Sequence, residues 1–357
     1  MRANLGLYCL VLSIGGSLSI GCASSSPEGL TAADFAAFRK LATTTVRAGL
    51  IYRENAAVRV GAIEAMESIE DESKLPWIRS ALTDDTPAVR FAACVSLGKA
   101  RDAVSARAIG RLSGDPDANV RIASYFARHR LGDTSMTGKL ATYLLEDQDP
   151  GVRRNAALVL GMMGEPGSIP ILARAVSDED SGVRMHALEA MARLGNREAK
   201  RELTFQANSG VGAEETFAVE ALAETRDRGY VDTFRYKLLN GAHLETQLAA
   251  ARGLGLLGMD DGFDLAMKAI ESNTRRIRDR DDPKSDQILR ARQLGASALG
   301  AIGRVDALSK LARLLRKSTD PRVQISFAHA ILEILAVHRT SSLPFAAHST
   351  SKRSAIR

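Results

Sequence analysis

The residues of this chain whose types and spacing could do chemistry are few. Gly253-Leu-Gly255-Leu-Leu-Gly258 is a formal G-x-G-x-x-G, the spacing that lets a helix N-terminus cradle a dinucleotide pyrophosphate. That chemistry needs a strand before the glycines. The preceding HLETQLAAAR, residues 243–252, has helical phase instead. The six histidines (129, 186, 243, 329, 338 and 348) never fall four residues apart, and no His-Glu dipeptide occurs. Zinc-type Cys-x-x-Cys spacing, a G-x-S-x-G elbow and a Walker loop are all missing. These patterns predict no catalytic residue, no metal ligand and no cofactor. One charged segment stands out. Residues 272–287 read SNTRRIRDRDDPKSDQ and set Arg275, Arg276, Arg278 and Arg280 against several aspartates. The four arginines are candidate partner-binding residues; the plainer reading is a solvated excursion or helix extension with internal ion pairs.

Something must position these residues, and composition narrows what. Aromatics are 5% of the 357 residues, and apolar mass comes from small aliphatics. That suits closely packed helix pairs better than β-sandwiches. The net charge is +6, but Arg2 and the tail residues Arg339, Lys352, Arg353 and Arg357 account for five of those charges. The body is thus close to neutral, and nucleic acid is not an expected partner.

Self-similarity explains most of the chain. A Val-Arg pair recurs at Val58-Arg59, Val89-Arg90, Val120-Arg121, Val152-Arg153 and Val183-Arg184, at spacings of 31 or 32 residues. Four residues on comes a small side chain, as in Ala62, Ala93, Ala156 and Ala187. Eight on comes an apolar one, as in Met66, Leu97, Leu160 and Met191. Those positions share one helix face. The register continues at Glu214, Thr246, Ala291 and Val323, which makes nine units with one long interval between Thr246 and Ala291. Acidic, proline-containing turns such as TDDTPAV and EDQDPGV precede the helices, and Asp and Pro suit a helix start. A second apolar helix, for example residues 168–178, separates successive units. Neither helix can bury a core alone, so the units must stack. The predicted fold is an all-α, right-handed solenoid over residues 31–337, carrying the 272–287 insertion. Gly255 and Gly258 match Gly161/Gly164 and Gly300/Gly303, so the glycine motif is repeat structure. Cys94, within RFAACVSLG, reads as a small buried hydrophobe.

The acidic turn followed by Val-Arg, Ala and Leu-Gly resembles the short HEAT-like repeats of phycobilisome-lyase-type proteins. The resemblance implies that Arg59, Arg90, Arg121, Arg153 and Arg184 form a structural ladder, each pairing with turn acids of an adjacent unit. Related HEAT-like folds include deoxyhypusine hydroxylases, whose paired His-Glu motifs are absent here, and DNA glycosylases with aromatic, basic clefts. The phycobilin lyases bind tetrapyrroles, which keeps a chromophore-binding or lyase reading open as the alternative.

The N-terminus points elsewhere. Arg2 and the apolar run from Leu5 to Ile20 resemble a secretory signal peptide, too short for a comfortable membrane span. Leu18-Ser-Ile-Gly-Cys22 resembles a bacterial lipobox, with Ser19 where Leu is usual. Residues 1–21 are then a lipoprotein signal peptide, Cys22 the lipid attachment site and 22–30 a Ser-rich tether. Residues 338–357 read as a basic, disordered tail. The expectation is a non-enzymatic protein-interaction scaffold, lipid-anchored on the periplasmic face of a bacterial inner or outer membrane, with an extended curved binding surface.

Overall fold

The computed structural model describes residues 29–272 and 283–341. Its described residues form nine pairs of α-helices, numbered here in chain order, with no β-strand among them. The even-numbered helices are those that the Val-Arg register locates: α2 (Ala56–Glu67), α4 (Pro87–Lys99), α6 (Ala118–Arg130), α8 (Pro150–Met163), α10 (Ser181–Arg193), α12 (Gly212–Glu224), α14 (Leu244–Leu256), α16 (Lys284–Ile302) and α18 (Pro321–Ser341). Before each comes its partner: α1 (Ala32–Leu50), α3 (Leu75–Ser80), α5 (Ala106–Leu112), α7 (Thr137–Glu146), α9 (Ile169–Ala175), α11 (Arg197–Gln206), α13 (Val231–Asn240), α15 (Phe263–Ala269) and α17 (Leu308–Lys317). The nine-unit α-solenoid expected from the sequence is the architecture observed.

Local chemistry sets the helix starts. Asn55, Asp117, Asp149 and Asp180 each accept from a backbone N–H two or three residues on, and Pro87 and Pro150 occupy first turns. Thr31 and Asp34 close a capping box on α1. Gly164 and Gly303, at φ +78° and +76°, end α8 and α16 in the left-handed conformation.

The even helices pack directly on one another, α2 on α4, α4 on α6, and so on to α16 on α18. Small side chains bring their backbones together. A Cβ on Gly98 would lie 2.8 Å from the Ala127 Cα, and one on Gly161 would lie 2.8 Å from the Ala190 Cα. The odd helices sit in an outer layer, each leaning on even helices, and mostly stay apart from one another. That difference is what curvature demands, since an outer layer has more circumference to cover.

The curvature continues until the array meets itself. α18 packs on α16 and also on α1 and α2, and α1 lies between α18 and α2 as α11 lies between α10 and α12. Ile325 of α18 covers Gly49 and Gly61, and His329 Nε2 is 3.1 Å from Ser68 Oγ. The array is therefore a closed ring of nine inner helices, not the open curved surface expected. Nine helices about 8 Å apart would make a ring of radius roughly 12 Å, leaving an opening of roughly 6 Å in radius. Side chains fill much of it. Residues 91–98 of α4 and 122–127 of α6 are buried on every face, where an open solenoid would expose a stripe.

Candidate interaction surface

Two of the sites expected from the sequence lie outside the described residues. These are Cys22, with the whole of 1–28, and Arg275, Arg276, Arg278 and Arg280. The described flanks of the insertion are ordered parts of the ring. Arg292 donates two hydrogen bonds to the carbonyl of buried Ser272, at 2.9 and 3.1 Å. α16 begins at Lys284, so the last residues of the charged segment are helix.

The five ladder arginines share a common placement. Each guanidinium Nη1 donates to two carbonyls of the turn before its own helix, as Arg153 does to Asp147 and Gln148. The rest of the group depends on what lies across the gap. Arg90 grips Asp115 through Nε and Nη2, both at 2.9 Å, and Arg153 grips Asp178 likewise at 2.8 Å. Arg59 Nη2 reaches Asp84 and Asp85, at 2.9 and 3.2 Å. Arg121 instead donates to the Tyr143 hydroxyl at 2.7 Å. For Arg184 the hydrogen bonds are those to its own turn. Burial pushes the Asp115 and Asp178 carboxyls up, but their arginines and a backbone N–H more than offset it and hold both below the usual range.

Charges also line the inside of the ring, and the sequence reading passed over them. Arg252 Nη2 donates to Glu224 at 2.6 Å, and Arg193 Nη2 donates to Glu189 at 2.8 Å while its Nη1 lies 3.8 Å from Glu224. Glu333 lies over Gly300, and His329 next to it joins Ser68 across the seam. Lys99 donates to Glu67 at 2.7 Å. Enclosure pushes the Glu64 carboxyl up to about 8, helped by Glu67. It pushes Glu220 up to about 7, with Glu189 and Glu224 adding to burial and Arg252 opposing it. A signal existed in the sequence. Glu64, Glu189, Glu220 and Arg252 lie six residues after their repeat starts and Arg193, Glu224 and Glu333 ten, where α4, α6 and α8 carry Val95, Phe126 and Leu158 at the sixth. Cys94 is buried, and burial pushes its thiol up to about 12. Gly255 packs α14 on α16, since a Cβ there would lie 2.6 Å from the Ile302 nitrogen.

The outer layer carries the other feature that the sequence reading missed. Among the described residues, five of the nine large apolar side chains exposed to solvent fall between α11 and the start of α14. They are Phe205, Val211, Tyr236, Leu239 and Leu244. Phe205 and Tyr236 are 31 residues apart, so they occupy the same position on successive outer helices. Along α11 and before the start of α13 lies a cavity of about 520 Å³ lined by Arg197, Lys200, Arg201, Thr204, Asp227 and Tyr230, together with Gly195. Lys200 pairs with Asp227 at 2.9 Å, and Arg201 with Glu198. No fully apolar helix of membrane-spanning length occurs among the described residues, and no cluster of three metal-type ligands.

With this geometry in hand, comparison with known proteins is informative about the repeat. The family of HEAT repeats matches residues 43–127 and 137–223. Within those two stretches the chain carries HEAT repeats. A HEAT repeat-containing taxis protein, OE_2401F of Halobacterium salinarum, is 33% identical over 141 residues. That alignment covers 39% of this chain and 30% of the relative, so the chain spans under a third of that protein's length. Among solved structures, the complex of CpcE and CpcF of phycocyanin lyase from Nostoc sp. PCC7120 aligns at 18% identity and a TM-score of 0.42, over 79% of this chain and all of that one. Human deoxyhypusine hydroxylase aligns at 18% identity and 0.37, over 85% of this chain and 98% of that one.

Proposed function

We propose that this HEAT-repeat ring is a non-enzymatic protein-interaction scaffold, lipid-tethered through Cys22 on the periplasmic face of a bacterial envelope. The observation that carries the scaffold reading is the concentration of exposed apolar side chains on successive outer helices, Phe205 on α11 and Tyr236 and Leu239 on α13. Contiguous exposed apolar surface marks contact sites more often than it serves a monomer. Ring closure moves the contact surface outward. The inner helices are enclosed by one another, so a macromolecular partner must use the outer layer or the rims. The arginines of the insertion, Arg275, Arg276, Arg278 and Arg280, would add a second contact, and the ladder arginines serve the fold alone. The lipobox-like Leu18–Cys22 segment supports the tether.

Two experiments test this. Cross-linking in intact envelopes should give adducts with wild type that a Tyr236→Glu/Leu239→Glu variant and a variant lacking 272–287 each lose in part. Identical adducts from all three would sink the scaffold reading, as would pigment absorbance in the purified protein, which favours a chromophore-binding role. Labelling with a fatty-acid analogue should mark wild type and spare Cys22→Ser; equal labelling would remove the tether.

A further inference from the structure

α17 and α1 stand near opposite ends of the chain and touch only because the ring closes. Their outer faces gather positive charge. Residues 304–322 carry six basic side chains and two acidic ones, and residues 31–53 carry four and one, while the body as a whole is close to neutral. The acids among them are already engaged. Asp306 pairs with Arg304, Asp320 pairs with Arg322, and Asp34 accepts from Thr31 at the start of α1. Glu271, just beyond α15, is shared by Lys310 and Arg313 at 3.0 and 3.5 Å, and Arg313 remains 51% exposed. Lys40, Arg316 and Lys317 are exposed and have no ion-pair partner among the described residues. α17 itself, LSKLARLLRK, contains no acid. Its apolar side is not free to insert anywhere, because Leu308, Leu311 and Leu315 are buried in the ring.

We infer that this face of α17 and α1 lies on an anionic phospholipid bilayer, the same membrane that the Cys22 lipid enters. The inference rests on the tether reading and names the surface that the ring turns to its membrane. Two observations select a bilayer from among anionic partners. The first is reach. Thr31, which caps α1, is nine residues from Cys22, at most about 30 Å of extended chain. A lipid at Cys22 therefore keeps the start of α1 within about one helix length of the headgroups. The other end of the array joins it there. Gly49, in the last turn of α1, lies against Ile325 in the first turns of α18. The two helices thus run antiparallel, and α18 ends at Ser341 beside the start of α1. Residues 342–357 then bring Lys352, Arg353 and Arg357 and no acid. The second observation is shape. Apart from Lys40 and Arg47, the exposed side chains of α1 are alanines and Thr44, with Ile51 just past its end. The nearby Trp77 ring is covered by Arg47. A protein partner needs an anchor in a pocket. Cations among small side chains can instead approach a plane of phosphates, each contributing about fivefold in affinity.

The test uses the full chain with Cys22→Ser, so that no lipid holds it. It is floated at low salt with vesicles of phosphatidylcholine alone or of phosphatidylcholine with phosphatidylglycerol. Any contribution from the apolar run of residues 5–20 is common to both vesicles, so the difference between them reports charge. Binding to the anionic vesicles should be at least about tenfold tighter, and about 1 M salt should remove the difference by screening. Arg316→Glu/Lys317→Glu should weaken anionic binding at least about tenfold. The same change at two exposed arginines of α5, Arg107→Glu/Arg111→Glu, should leave it within about twofold. Circular dichroism must show both variants as helical as the parent chain. Equal binding to the two vesicles overturns the inference. So do equal losses from the two variants, or no loss from Arg316→Glu/Lys317→Glu, which leaves the attraction to the tail. Tighter binding to poly-glutamate than to anionic vesicles assigns the face to an acidic protein and overturns it as well. If fatty-acid labelling depends on Cys22 while the Cys22→Ser chain ignores anionic vesicles, the tether stands and the membrane face falls. If nothing is labelled and the anionic vesicles are bound, the face stands and the tether falls.

Discussion

Five arginines share one repeat position, yet they do not bear the same load. Arg153 is 7% exposed and Asp178 is 11% exposed, and each satisfies the other in a bidentate pair. Arg153→Ala would leave the Asp178 carboxylate without its partner and two turn carbonyls without a donor. A loss of about 2 kcal/mol in unfolding free energy is expected by denaturant titration. Arg184 grips only its own turn, so Arg184→Ala should cost about 1 kcal/mol or less. Equal losses would mean that the acid across the gap contributes nothing. The sequence announces this difference only in hindsight. The acid lies 25 residues beyond Arg90 and Arg153, while Arg184 has Ser209 at that distance.

At the scale of the helix, glycines in one repeat position decide how closely the inner layer packs. Gly255 and Gly258 belong to the same formal motif but do different work. A Cβ on Gly255 would press on the backbone of α16, whereas Gly258 has open space around it and φ +81°. Gly255→Ala should therefore cost about 2 kcal/mol by overpacking a helix contact. Gly258→Asn should cost a few tenths of a kcal/mol, because asparagine tolerates the left-handed region. Comparing the two denaturation midpoints checks this; a larger loss at Gly258 would contradict it. The helical phase around these glycines was readable beforehand, and it argued against a phosphate cradle. The partner helix that makes Gly255 necessary was not readable, because α16 follows an interval of 45 residues between repeat starts, outside the regular period.

For the whole molecule, closure is the central property. Gly49 and Gly61 lie under Ile325, so Gly49→Leu/Gly61→Leu should part α18 from α1 and α2. Repeat arrays hold together through nearest neighbours, and the remaining interfaces should survive. Small-angle scattering should report a larger radius of gyration with helix content unchanged. A radius equal to wild type would mean that the seam does not hold the ring. The packed inner layer also shapes pH dependence. Glu64 and Glu220 have folded values raised to about 8 and about 7 from 4.5. Groups raised on folding favour the folded state while protonated. Their contribution is full below 4.5 and is lost as pH rises through 7 and 8. Asp115 and Asp178 run the other way, stabilising at neutral pH and losing that as pH falls through their lowered values. Melting temperatures of Glu64→Gln should fall less than those of wild type between neutral and alkaline pH. Parallel curves would refute enclosure of this carboxyl.

The sequence by itself determined the helical class, the nine units, the helix starts and the small residues at the contacts. These follow from spacing, capping and periodicity, all of which act within one repeat. Only the tertiary structure decided that the array closes, which faces are enclosed and which are left bare. Closure depends on a small rotation per repeat summed around nine units, and no single repeat encodes that sum. The burial that raises the Glu64 carboxyl to about 8, beside Glu67, exists only once the inner helices pack together. Tyr236 and Leu239 stand 58% and 77% exposed on the outer layer, a placement set by which neighbouring helices pack on α13 and on which side.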